Sequence, residues 1–190
     1  RLIAEDMIVF SEGVYEIAAI VSETYTGERI CPEISVVKAD DVSVRLQEGK
    51  DYTVSYKYNL NAGTATAIVT GVGKCIGTMQ KEFEILPMEA AGLDVLLDTA
   101  ELVYNGKVQQ PSVMVSTKAG VLLKEGVDYT VSYADASGEP ADSKNAGNYQ
   151  AVILLQGNYA GTVKQNYTIT ACPVDVLQVE IPDMKYTGAE

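Results

Sequence analysis

One stretch of eight residues occurs twice in this chain with a single change. Gly49-Lys50-Asp51-Tyr52-Thr53-Val54-Ser55-Tyr56 and Gly126-Val127-Asp128-Tyr129-Thr130-Val131-Ser132-Tyr133 differ at one position. The match runs on in both directions. Tyr25-Thr26-Gly27 with Pro32 corresponds to Tyr104-Asn105-Gly106 with Pro111, and Asn61-Ala62-Gly63 to Asn145-Ala146-Gly147. Gly73, Gly77-Thr78, Phe83 and Ile85 then correspond to Gly157, Gly161-Thr162, Tyr167 and Ile169, and a third opening stands at Tyr186-Thr187-Gly188. A period this long marks an array whose units each bury a small core of their own, beads rather than thin solenoid turns.

The copies are unequal in length. Between Tyr56 and Asn61 the first copy has only Lys57 to Leu60, whereas between Tyr133 and Asn145 the second has Ala134 to Lys144. That longer stretch, 134–144, is rich in Asp, Ser, Gly and Pro and reads as an exposed hairpin loop. Pro87 and Pro173 each follow a last strand and mark the junctions. The predicted organisation is therefore 1–12 as the end of a preceding repeat or an N-terminal strand, 13–87 as repeat 1, 88–172 as repeat 2, and 173–190 as the start of a third. Beginning and ending inside repeats, the chain reads as an excerpt of a longer protein. With no Gly/Ser-rich linker at the junctions, the repeats are expected to form a semi-rigid rod.

Local patterning is that of strands. Tyr52, Val54 and Tyr56 alternate with Thr53 and Ser55, as in a half-buried antiparallel strand. Further strands are predicted at 65–69 and 149–155, and at 78–86 and 162–170 with Phe83/Ile85 and Tyr167/Ile169 inward. Others are predicted near 16–21, 33–38, 42–46, 94–98, 112–117 and 121–123, and Met7-Ile8-Val9-Phe10 is a candidate strand. Residues 88–97 come nearest to a helix, but Gly92 argues against one. Six or seven short strands in each copy, with turns at short regular spacing, predict an all-β fold of tandem Ig-like Greek-key β-sandwich domains.

The pattern Tyr-Thr-Gly-x4-Pro, Leu-x2-Gly-x-Asp-Tyr-Thr-Val-Ser-Tyr, Asn-x-Gly, Gly-x3-Gly-Thr and Phe-x-Ile resembles the bacterial Ig-like repeats of large Firmicutes surface proteins. Those include tandem modules of mucin-binding type. The resemblance covers most of the chain and recurs in both copies. It implies an extracellular, surface-attached or secreted multidomain protein in which such repeats act as stalks or adhesive modules. It brings no catalytic residue and no ligand.

Composition narrows the chemistry. A net charge of −12 and a pI near 4.4 argue against nucleic acid and anionic lipid, both of which need a basic footprint. No apolar run reaches the roughly 20 residues of a membrane helix. There is no His, which removes Ser-His-Asp and Cys-His catalysis and the commonest zinc ligand. There is no Trp, the favoured platform for sugars, but there are 12 Tyr.

Most Tyr positions recur between copies and so read as packing: Tyr25/Tyr104/Tyr186, Tyr52/Tyr129, Tyr56/Tyr133. Tyr58, Tyr149 and Tyr159 have no aromatic counterpart. With Asp135 and Asp142 in the inserted loop, they are the candidate ligand contacts. Asp51 and Asp128 are expected to close turns through backbone N–H groups. The acid clusters Asp40-Asp41 and Asp135/Glu139/Asp142 lack the spacing of a calcium loop. Cys31, Cys75 and Cys172 read as small apolar residues, or as a 31–75 disulfide beside a free thiol.

Two functions follow. One is a non-enzymatic stalk that spaces or presents adhesive domains, monomeric and without cofactor. The other is an adhesin module that binds a host glycan, mucin or protein through loops that differ between copies.

Overall fold

The computed structural model describes residues 7–173. The Tyr186-Thr187-Gly188 opening and nearly all of 173–190 lie outside the described residues, as do residues 1–6. The strands in chain order are β1 Ile8–Val9, β2 Tyr15–Ile17, β3 Glu23–Thr24, β4 Val36–Lys38, β5 Asp41–Arg45, β6 Tyr52–Lys57, β7 Gly63–Gly71, β8 Cys75–Ile76, β9 Thr78–Leu86 and β10 Met88–Glu89. There follow β11 Leu93–Leu97, β12 Glu101–Val103, β13 Val113–Thr117, β14 Tyr129–Asp135, β15 Gly147–Leu155, β16 Tyr159–Ala160 and β17 Thr162–Thr170. The fold is all-β; two single 3-10 turns, Phe10–Glu12 and Ala90–Gly92, are the helical elements among the described residues.

The chain divides into two compact units. The first comprises residues up to Leu93 together with 123–130 and 154–162, and the second comprises 94–122, 131–153 and the chain from Val163 on. Two four-stranded sheets have the same order, β3-β9-β7-β6 and β12-β17-β15-β14. In each, a short strand joins the long last strand in parallel: β3 beside β9 and β12 beside β17. A three-stranded sheet β2-β4-β5 and the pair β11-β13 complete the larger sheets.

Alternation decides which side of each strand is buried. Tyr52 is buried and Val54 and Tyr56 are half-buried, while Thr53, Ser55 and Lys57 face out. On β7, Ala65, Ala67 and Val69 are fully buried. The alanines are small because rings lie across from them: Ala65 pairs with Phe83 and Ala67 with Tyr56. Those two rings meet edge to face at 6.2 Å. Large opposite small is how a sheet face reaches close packing. Phe10, Ile17, Ile30, Ile34, Val36, Cys75 and Ile85 fill the rest of this core. In the second unit Ala151, Ile153, Tyr167, Ile169 and Val115 are buried in the same alternating manner.

Turn chemistry recurs as well. Asp51 accepts the Gln47 N–H at 2.8 Å, and Asp128 accepts the Lys124 N–H at 2.8 Å, closing the turns before β6 and β14. The Tyr56 hydroxyl donates to the Pro32 carbonyl, and the Tyr133 hydroxyl to the Pro111 carbonyl at 2.6 Å. At Gly71 a Cβ would stand 2.7 Å from the Cys75 carbonyl carbon, so only glycine fits that crossing.

Several expectations shift. The strand expected at 16–21 is Tyr15–Ile17, and the one expected at 33–38 begins at Val36. Residues 121–123 form a single bridge, Ser116 with Leu122, rather than a strand. Residues 88–97 are two strands around a 3-10 turn. The inserted stretch 134–144 is not simply exposed. β14 runs into it as far as Asp135, Ala134 bridges Pro140, and Ser143 is fully buried.

Candidate functional site

The five sequence candidates fall in both compact units. Tyr58 and Tyr159 belong to the first unit, whereas Tyr149, Asp135 and Asp142 belong to the second.

Tyr159 is 8% exposed and packs edge to face on Tyr25 at 5.7 Å. Burial pushes its phenol pKa up. Its counterpart at the same place in the first copy is Cys75, 1% exposed, so the position is buried in both copies and Tyr159 is not free to meet a ligand. Tyr149 is half-buried, stacked on Tyr167 at 5.6 Å, and its hydroxyl donates to the Asn145 carbonyl at 2.9 Å. Its ring also fills space rather than presenting a face. Asp135 is consumed by its own turn. One carboxylate oxygen accepts the Ser137 hydroxyl at 2.6 Å and the N–H groups of Ser137 and Glu139 at 2.8 and 3.1 Å. These bonds, the Ser137 hydroxyl foremost, hold its pKa below the usual carboxylate range. Asp142 is exposed, one residue before buried Ser143.

Tyr58 is different. It is 80% exposed and sits at the start of the loop between β6 and β7 with φ of 58°, the left-handed region. For a side chain of this size that backbone costs about 1 kcal/mol. Two anchors hold it. On one flank Asn59 is 2% exposed. Its carbonyl accepts the Ile30 N–H at 2.8 Å, its Nδ2 donates to the Ile30 carbonyl at 2.9 Å, and its Oδ1 accepts Arg29 Nη1 at 3.3 Å. On the other flank Asn158, also in the first unit, accepts the Ala62 N–H through Oδ1 at 2.8 Å and donates to Asn61 Oδ1 at 3.2 Å. Between the anchors lies an open depression of about 340 Å³ lined by Tyr58, Leu60, Asn61, Ala62 and Thr64.

The sequence points to Tyr58 through its lack of a counterpart, but it marks Asn61 and Asn158 only as turn residues and gives no sign of Leu60 or Thr64. Asn61 matches Asn145, and a residue that recurs draws no attention as a site.

Cys31 is exposed, Cys75 is buried, and both are free, as is Cys172, so no 31–75 disulfide is formed. Among the described residues no group of three or more Cys, Asp or Glu side chains is placed to hold a metal ion. No helix among them is long and apolar enough to cross a membrane. No protein-family model matches the chain, and no curated protein matches it.

Proposed function

We propose that this chain is a non-enzymatic, force-resisting stalk segment of a secreted or surface-attached bacterial multidomain protein, built from tandem Ig-like β-sandwich repeats. The resemblance of its doubled motif to such repeats supports the family and the location. The geometry that supports resistance to force is the parallel pairing at the edge of each four-stranded sheet.

In the first unit Glu23 and Thr24 pair with Ile85 and Leu86, and the Tyr25 N–H adds a bond to the Leu86 carbonyl at 2.8 Å. In the second, Glu101, Leu102 and Val103 pair with Thr168, Ile169 and Thr170, and the Tyr104 N–H donates to the Thr170 carbonyl at 2.8 Å. The short strand opens the sheet in sequence and the long one closes it. In a parallel pair the start of one and the end of the other lie at opposite ends of the ladder. Tension along the chain then shears all rungs together instead of peeling them one by one.

Single-molecule pulling tests this. Rupture through the termini is expected at higher force than rupture through cysteines placed to peel the same edge. Tyr104→Pro, which deletes the N–H donor, should lower the force of one event. Equal forces in the two pulling geometries would sink the proposal.

A further inference from the structure

We propose that the depression beside Tyr58 is a binding site for one ring of a neutral saccharide. The site stands apart from resistance to force: a stalk that carries it and a stalk that lacks it share the same edge ladders, so the two proposals fail separately.

Three observations converge on it. First, the Tyr58 ring is displayed, not packed. Its left-handed backbone is held by Asn59 on one side and by the Asn158 contacts to Asn61 and Ala62 on the other. The fold gains little burial from a residue that is 80% exposed. The backbone that carries the ring is thus set before binding, and only the side-chain torsions have to be ordered.

Second, the lining has the chemistry of a pyranose. Tyr58 and Leu60 offer adjoining apolar surface for the C–H face of the ring. Asn61 and Thr64 line it too and offer polar groups for its hydroxyls. Asn61 Oδ1 already accepts from Asn158, which fixes the amide and directs its Nδ2–H₂ elsewhere as a donor. An apolar helix is a poor occupant, because Leu60 and Ala62 do not extend into a stripe. The volume of about 340 Å³ is at the lower end of small-molecule sites, which begin at roughly 300 Å³.

Third, electrostatics selects a neutral sugar. All five lining residues are uncharged, and the chain as a whole carries −12. A sialylated or sulfated ring would approach against that field with no cation among the lining residues to receive it.

The experiment is amide NMR of the whole chain with lactose, N-acetyllactosamine and cellobiose, and with sialylated lactose as the charged counterpart. At roughly 20 mM a millimolar site is saturated. At least one neutral sugar is expected to shift the amides of 58–64, and the sialylated form to bind more weakly. Tyr58→Gly suits the left-handed backbone, so the thermal midpoint should hold or rise while affinity falls about tenfold or more. Tyr58→Phe keeps the ring face and should bind within about threefold of the native chain. The proposal is overturned if no neutral sugar perturbs 58–64, if Tyr58→Gly binds as well as the native chain, or if the sialylated sugar binds equally or better.

Discussion

Asn59 and Ser143 occupy corresponding places, each just ahead of a long inner strand, and they solve one problem in two ways. Both are nearly or fully buried, and both lend a backbone carbonyl to the corresponding N–H: Ile30 at 2.8 Å for Asn59, Gln109 at 3.1 Å for Ser143. Their side chains go to different partners. Asn59 reaches back to the Ile30 carbonyl, while the Ser143 hydroxyl accepts the Tyr167 hydroxyl at 2.5 Å. The residue matching Tyr167 in the first unit is Phe83, which has no hydroxyl to give. The polar residue and its surroundings differ together, and each buried group is satisfied. The left-handed residue moves too. It is Tyr58 in one loop and Ser143 in the other, so only the first loop displays a ring.

The largest effect should come from Asn59→Ala. It orphans the Ile30 carbonyl and removes an anchor, at a cost of about 2–3 kcal/mol in urea denaturation. A loss under about 0.5 kcal/mol would break the comparison, since Asn59 would then be a bystander. Tyr167→Phe should cost about 1–2 kcal/mol by leaving the Ser143 hydroxyl buried alone. Adding Ser143→Ala should return part of that loss, with a coupling of about 1 kcal/mol in the double-mutant cycle.

A smaller effect is expected at high pH. Burial raises the Tyr167 phenol pKa, so its contribution is full below the ordinary tyrosine value of about 10 and is lost as pH rises through the folded value. Tyr167→Phe should flatten the alkaline limb of the stability profile, and an unchanged limb would exclude Tyr167 as a source.

The smallest effect compares two exposed turns built alike. Asp41 holds the Ser43 hydroxyl and N–H at 2.6 and 3.0 Å, much as Asp135 holds those of Ser137. In both the carboxyl pKa is lowered, the serine hydroxyl being the main cause. Their contribution is present above the ordinary Asp value of about 3.9 and fades as pH falls through the lower folded value. Asp135→Asn and Asp41→Asn should each remove a small part of the acid slope in thermal melts, and a full slope in both would refute the shared role.

The long strands are legible in the sequence because period-two alternation is strong in them. Tyr52-Val54-Tyr56, Phe83-Ile85 and Tyr167-Ile169 face where alternation puts them. The edge strands Glu23–Thr24 and Glu101–Val103 give no such signal, because two or three residues carry no period and owe their place to the neighbouring strand. Comparing the copies singles out Tyr58, which is exposed, and Tyr159, which is buried, alike. An aromatic without an aromatic counterpart looks free, although burial is kept at that place while size changes from Cys75 to Tyr159. The left-handed turn at Tyr58 has no signal at all, since no local propensity announces a tyrosine there.

The crossing enforced at Gly71 has a consequence for how the first unit can be watched. Cys75 lies against that crossing, 1% exposed, and its thiol pKa is raised by burial and then by the charge of Asp51. Cys31, by contrast, faces solvent. A thiol reagent should modify Cys31 at once and reach Cys75 only when the turn between β7 and β8 comes apart. The delay of the Cys75 label behind those of Cys31 and of Cys172, the third free thiol and half-buried, is then a clock for local opening, carried by the native chain without any added probe.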